Sequence, residues 1–241
     1  MRDYISDSAS YKKIFELYES KRENTPLFVF NVTMQNHGGY DWDGDGYFDK
    51  RIYLTGKEQN KYPTVDQYLS LVRYSDDAVQ ELISYFSKVD EPTAIVFFGD
   101  HQPGFADWLF EETFGKPVED AGLEEVQARY RTPYFIWANA AARGKYEESL
   151  TRIEDADVTS LNYLSTLLLD ATGLLRDARA LYRSALRQAL PAVNLNGYRD
   201  AEGTWHWFGE AVETDAQQKA EDALKSYAIV QYDQLFGNDR G

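Results

Sequence analysis

Three short runs of this chain are apolar at almost every position: LFVFNVT at 27–33, TAIVFF at 93–98 and PYFIWAN at 133–139. A strand with one wet face alternates apolar and polar residues. These runs do not alternate, so they read as strands covered on both faces, as in the middle of a parallel sheet. Between and after them lie helical periodicities. Residues 8–20 place Tyr11, Ile14, Phe15 and Tyr18 at helical spacing, with a Ser or Asp just upstream to cap them. Pro63 and Thr64 lead into a long helix whose apolar stripe is Leu69, Val72, Ala78, Val79, Leu82, Ile83 and Phe86. Two more helices follow the third strand, one with Thr159 as N-cap and Gly173 as its stop, the other ended by Pro191. Residues 196–209 read as a turn or small hairpin, and a last helix runs from about Asp215 to Gly237. Alternating helix and strand predicts an α/β fold with a mostly parallel sheet flanked by helices. Three core strands are few for a doubly wound domain of 241 residues, so the sheet is expected to be incomplete in this chain.

The ends of two of these strands carry the chemistry. The chain has three histidines. His37 stands in Gln35–Asn36–His37–Gly38–Gly39, just past the first run, and His101 follows Gly99–Asp100 at the end of the second. In open α/β sheets, ligands bind beyond the carboxyl ends of strands. Carboxylate and imidazole suit Zn²⁺ or Mn²⁺, and glycine allows a sharp exit or a close approach to the backbone. Taken alone, each exit has an ordinary alternative: Asp100 capping the next turn, and His37 satisfied within a glycine-rich turn. Two histidine-bearing exits together favour a shared site. His206, between Trp205 and Trp207, reads as a packed or surface residue. The acidic loop Asp41 to Asp49 begins like a calcium loop, but its twelfth position is Ile52 rather than Glu, so an EF-hand fails. Asp76 and Asp77 read as solvated or paired with Arg73. Trp108, Trp137, Trp205 and Trp207 are large enough to stack on a substrate, but core or surface packing is the favoured reading.

Charge and composition remove whole classes of function. Forty acidic against 25 basic residues give a net charge of −15, which argues against nucleic acid as partner and against anionic surfaces bound by bulk charge. A phosphate ester then needs a local cation. With no cysteine, disulfides, thiol catalysis and cysteine zinc sites are excluded. No run approaches the roughly 20 apolar residues of a membrane span, and the first residues form no signal peptide. No GxSxG, P-loop or HExxH pattern supplies a nucleophile.

VTMQNHGGY, YLSLVRYSDDAVQELISYF, IVFFGDHQP and YRTPYFIWAN followed by SLNYLSTLLLDATG, in that order, resemble the C-terminal half of the lipoteichoic acid synthase-like phosphoglycerol transferases. These belong to the sulfatase/alkaline phosphatase superfamily. The resemblance implies an alkaline phosphatase/sulfatase-like fold in which 1–241 is the C-terminal part of a catalytic domain, with 1–190 its α/β portion and 191–241 a hairpin and helix extension. It implies that Asp100 and His101 bind one divalent ion, typically Mn²⁺, with Zn²⁺, Ca²⁺ or Mg²⁺ as alternatives. His37, with Asn36 beside it, would contact the substrate phosphate. The family's threonine nucleophile, glutamate ligand and membrane anchor are expected upstream, so no catalytic nucleophile is assigned here and the isolated chain is expected to be inactive. The implied reaction moves phosphoglycerol from a lipid to a polymer acceptor at the extracellular face of a bacterial membrane, through attack of the threonine on a phosphodiester. A sulfatase or phosphodiesterase of the same superfamily is the alternative enzyme. A remnant or a binding module for anionic polymer is the non-catalytic alternative.

Overall fold

The computed structural model describes residues 4–41, 52–56, 61–105, 107–146, 158–174 and 177–237. These form two compact units, residues 1–91 and 92–241.

The first unit is a helix pair. Helix α1 (Asp7–Ser20) is capped by Ser6, whose hydroxyl accepts the Ala9 N–H at 3.2 Å, as the serine upstream of the helical periodicity suggested. Helix α2 (Pro63–Phe86) opens with proline in its first turn, where the missing N–H costs nothing. The pair is held by rings: Phe15 stacks on Tyr85 with centroids 4.0 Å apart, and Tyr18 meets Phe86 edge-on at 5.5 Å. The buried face of α2 is Val65, Leu71, Ala78, Leu82 and Phe86, and it also includes Asp66, Ser70 and Ser75. Leu71 is fully buried while Val72 is 37% exposed, so the stripe is rotated from the one the apolar residues alone predict. The rotation puts small polar residues inward, where each binds a neighbouring loop. Ser70 Oγ accepts from Ile52 N–H at 3.0 Å and Asp66 Oδ1 from Leu54 N–H at 3.3 Å.

Residues 27–33 differ from expectation. They form no strand among the described residues, and Phe28, Phe30 and Val32 are 83%, 70% and 65% exposed. An apolar run reports an affinity for burial. A strand also needs a neighbour to pair with, and the described residues provide none.

The second unit contains the two other strands. β1 (Ala94–Phe98) and β2 (Tyr134–Ala138) pair antiparallel, with Ile95 opposite Trp137 and Phe97 opposite Phe135. The facing Phe97 and Phe135 rings stack at 5.2 Å. Every ladder among the described strands is antiparallel, so the parallel pairing expected of the sheet does not occur between these strands; the small sheets are those of an incomplete domain. Apolarity on both faces speaks of burial and carries no information on direction. The connection between β1 and β2 holds the short helices α3 (Asp107–Phe114) and α4 (Leu123–Ala128) and brings the chain back alongside β1. Asn139, fully buried, closes the ladder. Its Oδ1 accepts from Thr93 N–H at 3.1 Å and from Ala142 N–H at 2.9 Å, so one side chain ends β2 and starts helix α5 (Ala140–Tyr146).

Helices α6 (Leu164–Thr172), α7 (Ala178–Ala189) and α8 (Asp215–Phe236) form the rest of this unit with a small antiparallel sheet, β3 (Ala192–Val193), β4 (Tyr198–Arg199) and β5 (Trp205–His206). Gly173 ends α6 at φ 63°. Thr159 is not the cap: its hydroxyl donates to Pro191 O at 3.2 Å, and a 3₁₀ turn at Leu161–Tyr163 precedes the helix. Tyr163, Leu186, Leu190, Tyr198 and Ala220 make the core, and Tyr163 OH donates to Leu190 O at 2.8 Å.

His206 is buried, as a packing role requires. Its Nε2 lies 2.9 Å from Asp200 Oδ2, and its ring stacks on Tyr198 at 5.3 Å. Burial alone would raise the Asp200 pKa. The His206 bond and the N–H groups of Thr204 and Glu202 outweigh that and hold it below the usual value. Stability from a depressed carboxylate is present above 3.8 and is lost as pH falls through the lower folded value. His206→Phe should cost about 1–3 kcal/mol at pH 7 by urea unfolding. That penalty should shrink as pH falls below 3.8 and through the lowered folded value, where Asp200 loses its charge.

Candidate functional site

The end of β1 is shaped by close packing. Gly99 N–H donates to Pro133 O at 3.1 Å, extending the ladder one step. A Cβ on Gly99 would lie 2.9 Å from Thr132 Cβ, and Thr132 Oγ1 donates to Gly99 O at 2.7 Å. Glycine is needed here because the neighbouring chain passes too close for any side chain. Directly beyond, Asp100 and His101 project into solvent, with side chains 75% and 67% exposed.

The geometry of this pair decides what it can do. His101 Nδ1 lies 2.8 Å from Gln102 O. A carbonyl oxygen can only accept, so Nδ1 carries the proton and the neutral ring bears its lone pair on Nε2. Nε2 is 3.7 Å from Asp100 Oδ2, and Asp100 Oδ1 accepts from His101 N–H at 2.9 Å. Two donors each about 2.1 Å from one ion stand roughly 3–3.5 Å apart, close to the spacing seen. A backbone carbonyl behind a ligating imidazole is also the usual device for fixing its tautomer. The residues present thus fit two adjacent positions around a divalent ion. Among the described residues no cluster of three or more His, Asp or Glu side chains gathers, so by themselves these two could furnish only part of a ligand set.

The other expected site residues lie in the first unit. Asn36 and His37 follow the apolar run, in a turn closed by the His37 N–H on Met34 O at 3.1 Å. Tyr4 OH meets His37 Nδ1 at 3.2 Å, and the two rings are 5.6 Å apart. Gly38 has open space where a Cβ would stand, and Gly39 adopts φ 88°.

Behind this turn lies a buried network that the apolar pattern does not reveal. Ser75 Oγ donates to Asp7 Oδ2 at 2.5 Å and accepts from Gln35 Nε2 at 3.1 Å and Asn36 Nδ2 at 2.9 Å. A hydroxyl has one proton and two lone pairs, so Ser75 is fully used. Gln35 also accepts the Asp7 N–H at 3.2 Å. Asp7, Gln35 and Ser75 are 3%, 1% and 8% exposed. They fix the two residues just before His37, and one Asn36 amide proton is spent on structure. The only hint in the sequence was that Ser70 and Ser75 fall on the inward face of α2, which becomes visible once Leu71 is known to be buried.

Asp76 and Asp77 pair with Arg73 at 3.2 and 3.0 Å. The acidic loop falls outside the described residues beyond Asp41.

The sequence model of the sulfatase family matches residues 2–174, and the chain belongs to that family. It is similar to a putative cyclic β-1,2-glucan modification protein of Rhizobium meliloti (26% identity over 97% of this chain and 34% of that protein). It is also similar to the capsular polysaccharide biosynthesis protein RkpI of the same organism (30% identity over 66% of this chain and 24% of that protein). Its fold matches that of Streptococcus pyogenes phosphoglycerol transferase GacH, solved in complex with sn-glycerol-1-phosphate. The TM-score is 0.62 at 18% identity, over 95% of this chain and 48% of that one. The fold is thus alkaline phosphatase/sulfatase-like, and the chain spans about a third or less of the curated relatives and half of the solved one. Members of this superfamily are generally dependent on a divalent metal.

Burial raises the Asp7 pKa above 3.8, and bonds from Ser75 and Thr33 and the Gln35 backbone oppose it only in part. The folded state holds this proton more tightly than the unfolded one, so stability falls as pH rises from 3.8 through the raised folded value. Asp7→Asn should remove that loss. Ser75→Ala should instead cost about 1–3 kcal/mol, because Asp7, Gln35 and Asn36 all lose a buried partner. Urea unfolding between pH 3.5 and 7 measures both.

Proposed function

We propose that this chain carries part of the active site of a metal-dependent sulfatase-family enzyme that transfers phosphoglycerol onto a cell-envelope glycan or polymer. The observation that carries the reading is the Asp100–His101 pair, its tautomer set by Gln102 O and its two donor atoms 3.7 Å apart. Family membership supports enzyme chemistry at an ester of phosphate or sulfate. The GacH likeness, with glycerol phosphate bound in that protein, favours phosphate. The relatives' names, glucan modification and capsular polysaccharide biosynthesis, favour a saccharide acceptor at the cell envelope.

In this reading Asp100 Oδ2 and His101 Nε2 hold one divalent ion, with Mn²⁺ the first choice. When bound, the ion neutralises charge on the phosphate oxygens and on the attacking oxygen. His37 donates a hydrogen bond to the phosphate, and the Ser75 network keeps the turn that carries it in place. The chain spans about a third or less of its curated relatives, and in this reading the nucleophile and the remaining ligands are not among the residues assigned here. No helix among the described residues is long and apolar enough to cross a membrane.

The test is binding of glycerol phosphate to the 241-residue chain with and without Zn²⁺, followed by NMR at the histidine rings. The expected result is metal-dependent binding that perturbs His37 and His101 and weakens at least tenfold in Asp100→Asn. Metal-independent binding, or preference for inorganic sulfate over the phosphate monoester, would count against transfer and favour the sulfate-ester alternative.

A further inference from the structure

The two candidate histidines are held at the same ring nitrogen by opposite chemistry. His101 meets a carbonyl at Nδ1, Gln102 O at 2.8 Å, and a carbonyl only accepts. His37 meets a hydroxyl at Nδ1, that of Tyr4 at 3.2 Å. A phenol is a good proton donor and its oxygen a weak acceptor, while the bare nitrogen of a neutral imidazole is a strong acceptor. The favoured pairing is therefore Tyr4 O–H donating to Nδ1, which leaves the ring proton of His37 on Nε2.

The contact is fixed from the buried side. Tyr4 lies just before Asp7 in the chain, and His37 just after Gln35. Asp7 N–H donates to Gln35 Oε1 at 3.2 Å, and Ser75 Oγ joins the Asp7 and Gln35 side chains. All three residues are buried, so the two segments are tied together just inside the Tyr4–His37 pair. The two rings meet at 5.6 Å between centroids and 57° between planes, while His37 itself is an exposed residue.

We infer that Tyr4 is a positioning residue that sets His37 in its Nε2–H tautomer, and that this gives the two histidines different tasks. A protonated Nε2 offers an oxyanion a hydrogen bond and offers a metal ion no lone pair. The lone pair at Nδ1 is engaged by Tyr4. His37 is thus a donor to a phosphate oxygen and is kept out of the metal's ligand set. His101, with the opposite tautomer, presents its lone pair to the metal. The identity of the anion rests on the proposed function, whereas the tautomer rests on the Tyr4 contact alone.

The test is ¹⁵N NMR of the His37 ring in the 241-residue chain, free of metal and ligand, at a pH of about 8.5, where histidine rings are neutral. The expected spectrum has the proton on Nε2 and a bare, hydrogen-bonded Nδ1. Zn²⁺ alone should shift the His101 ring and leave His37 unmoved. Tyr4→Phe keeps the ring contact and removes only the hydroxyl. In that variant the two tautomers should coexist, and glycerol phosphate should bind about threefold to tenfold more weakly in the presence of Zn²⁺. A thermal melt verifies that the variant is folded. A proton on Nδ1 of the wild-type ring, Zn²⁺ bound at His37, or an unchanged tautomer in Tyr4→Phe would overturn the inference. The first two are read on the unaltered chain, so they decide the matter even if the variant is unstable. A tautomer set by Tyr4 on a ring indifferent to glycerol phosphate would uphold the inference and sink only the phosphate contact in the proposed function.

Discussion

The contact of Gly99 with Thr132 determines where this protein's chemistry can occur. β1 and β2 run antiparallel up to that point, and there the two chains come so close that residue 99 can carry no side chain. The ladder ends, and the next two residues turn outward with their polar groups in solvent. The same closeness lets Thr132 donate to Gly99 O, which fixes the angle of exit. The Asp100–His101 geometry follows from that: a carboxylate and a bare imidazole nitrogen side by side, with the far ring nitrogen tied to Gln102 O. The arrangement uses no buried charge, so it costs the fold little.

The first unit solves a similar problem by other means. The turn holding His37 follows an apolar run with no strand partner among the described residues, so no described ladder holds it. A serine hydroxyl on α2 does so instead, using its one proton and both lone pairs on Asp7, Gln35 and Asn36. Both units thus fix a histidine-bearing exit through groups just beside the histidine. In one it is a missing side chain, and in the other a saturated hydroxyl.

Much of this was legible in the residues. Period and capping signals located α1, α2, α7, α8 and the hairpin to within a few positions, because capping residues and prolines act locally. Asp100 and His101 could be named because both stand at the visible end of an apolar run. Strand direction could not be read, since Ile95 or Phe97 is equally buried beside a neighbour of either direction. The run at 27–33 shows the complement: its composition asks for a sheet that the described residues do not complete. Ser75 and Gln35 were hidden for a further reason. Hydrophobic periodicity treats serine and glutamine as surface residues, and only the rotation of α2 that buries Leu71 turns Ser75 inward, where Gln35 meets it.

The central claim is that His101 presents a bare Nε2 to a divalent ion beside Asp100. The most direct measurement is the ¹⁵N chemical shift of the two His101 ring nitrogens as Zn²⁺ is added. The account predicts that Nε2 shifts with metal while Nδ1 remains protonated on Gln102 O, and that Asp100→Asn weakens the response. A metal-induced shift at Nδ1, or a His101 ring indifferent to Zn²⁺ at millimolar concentration, would contradict it.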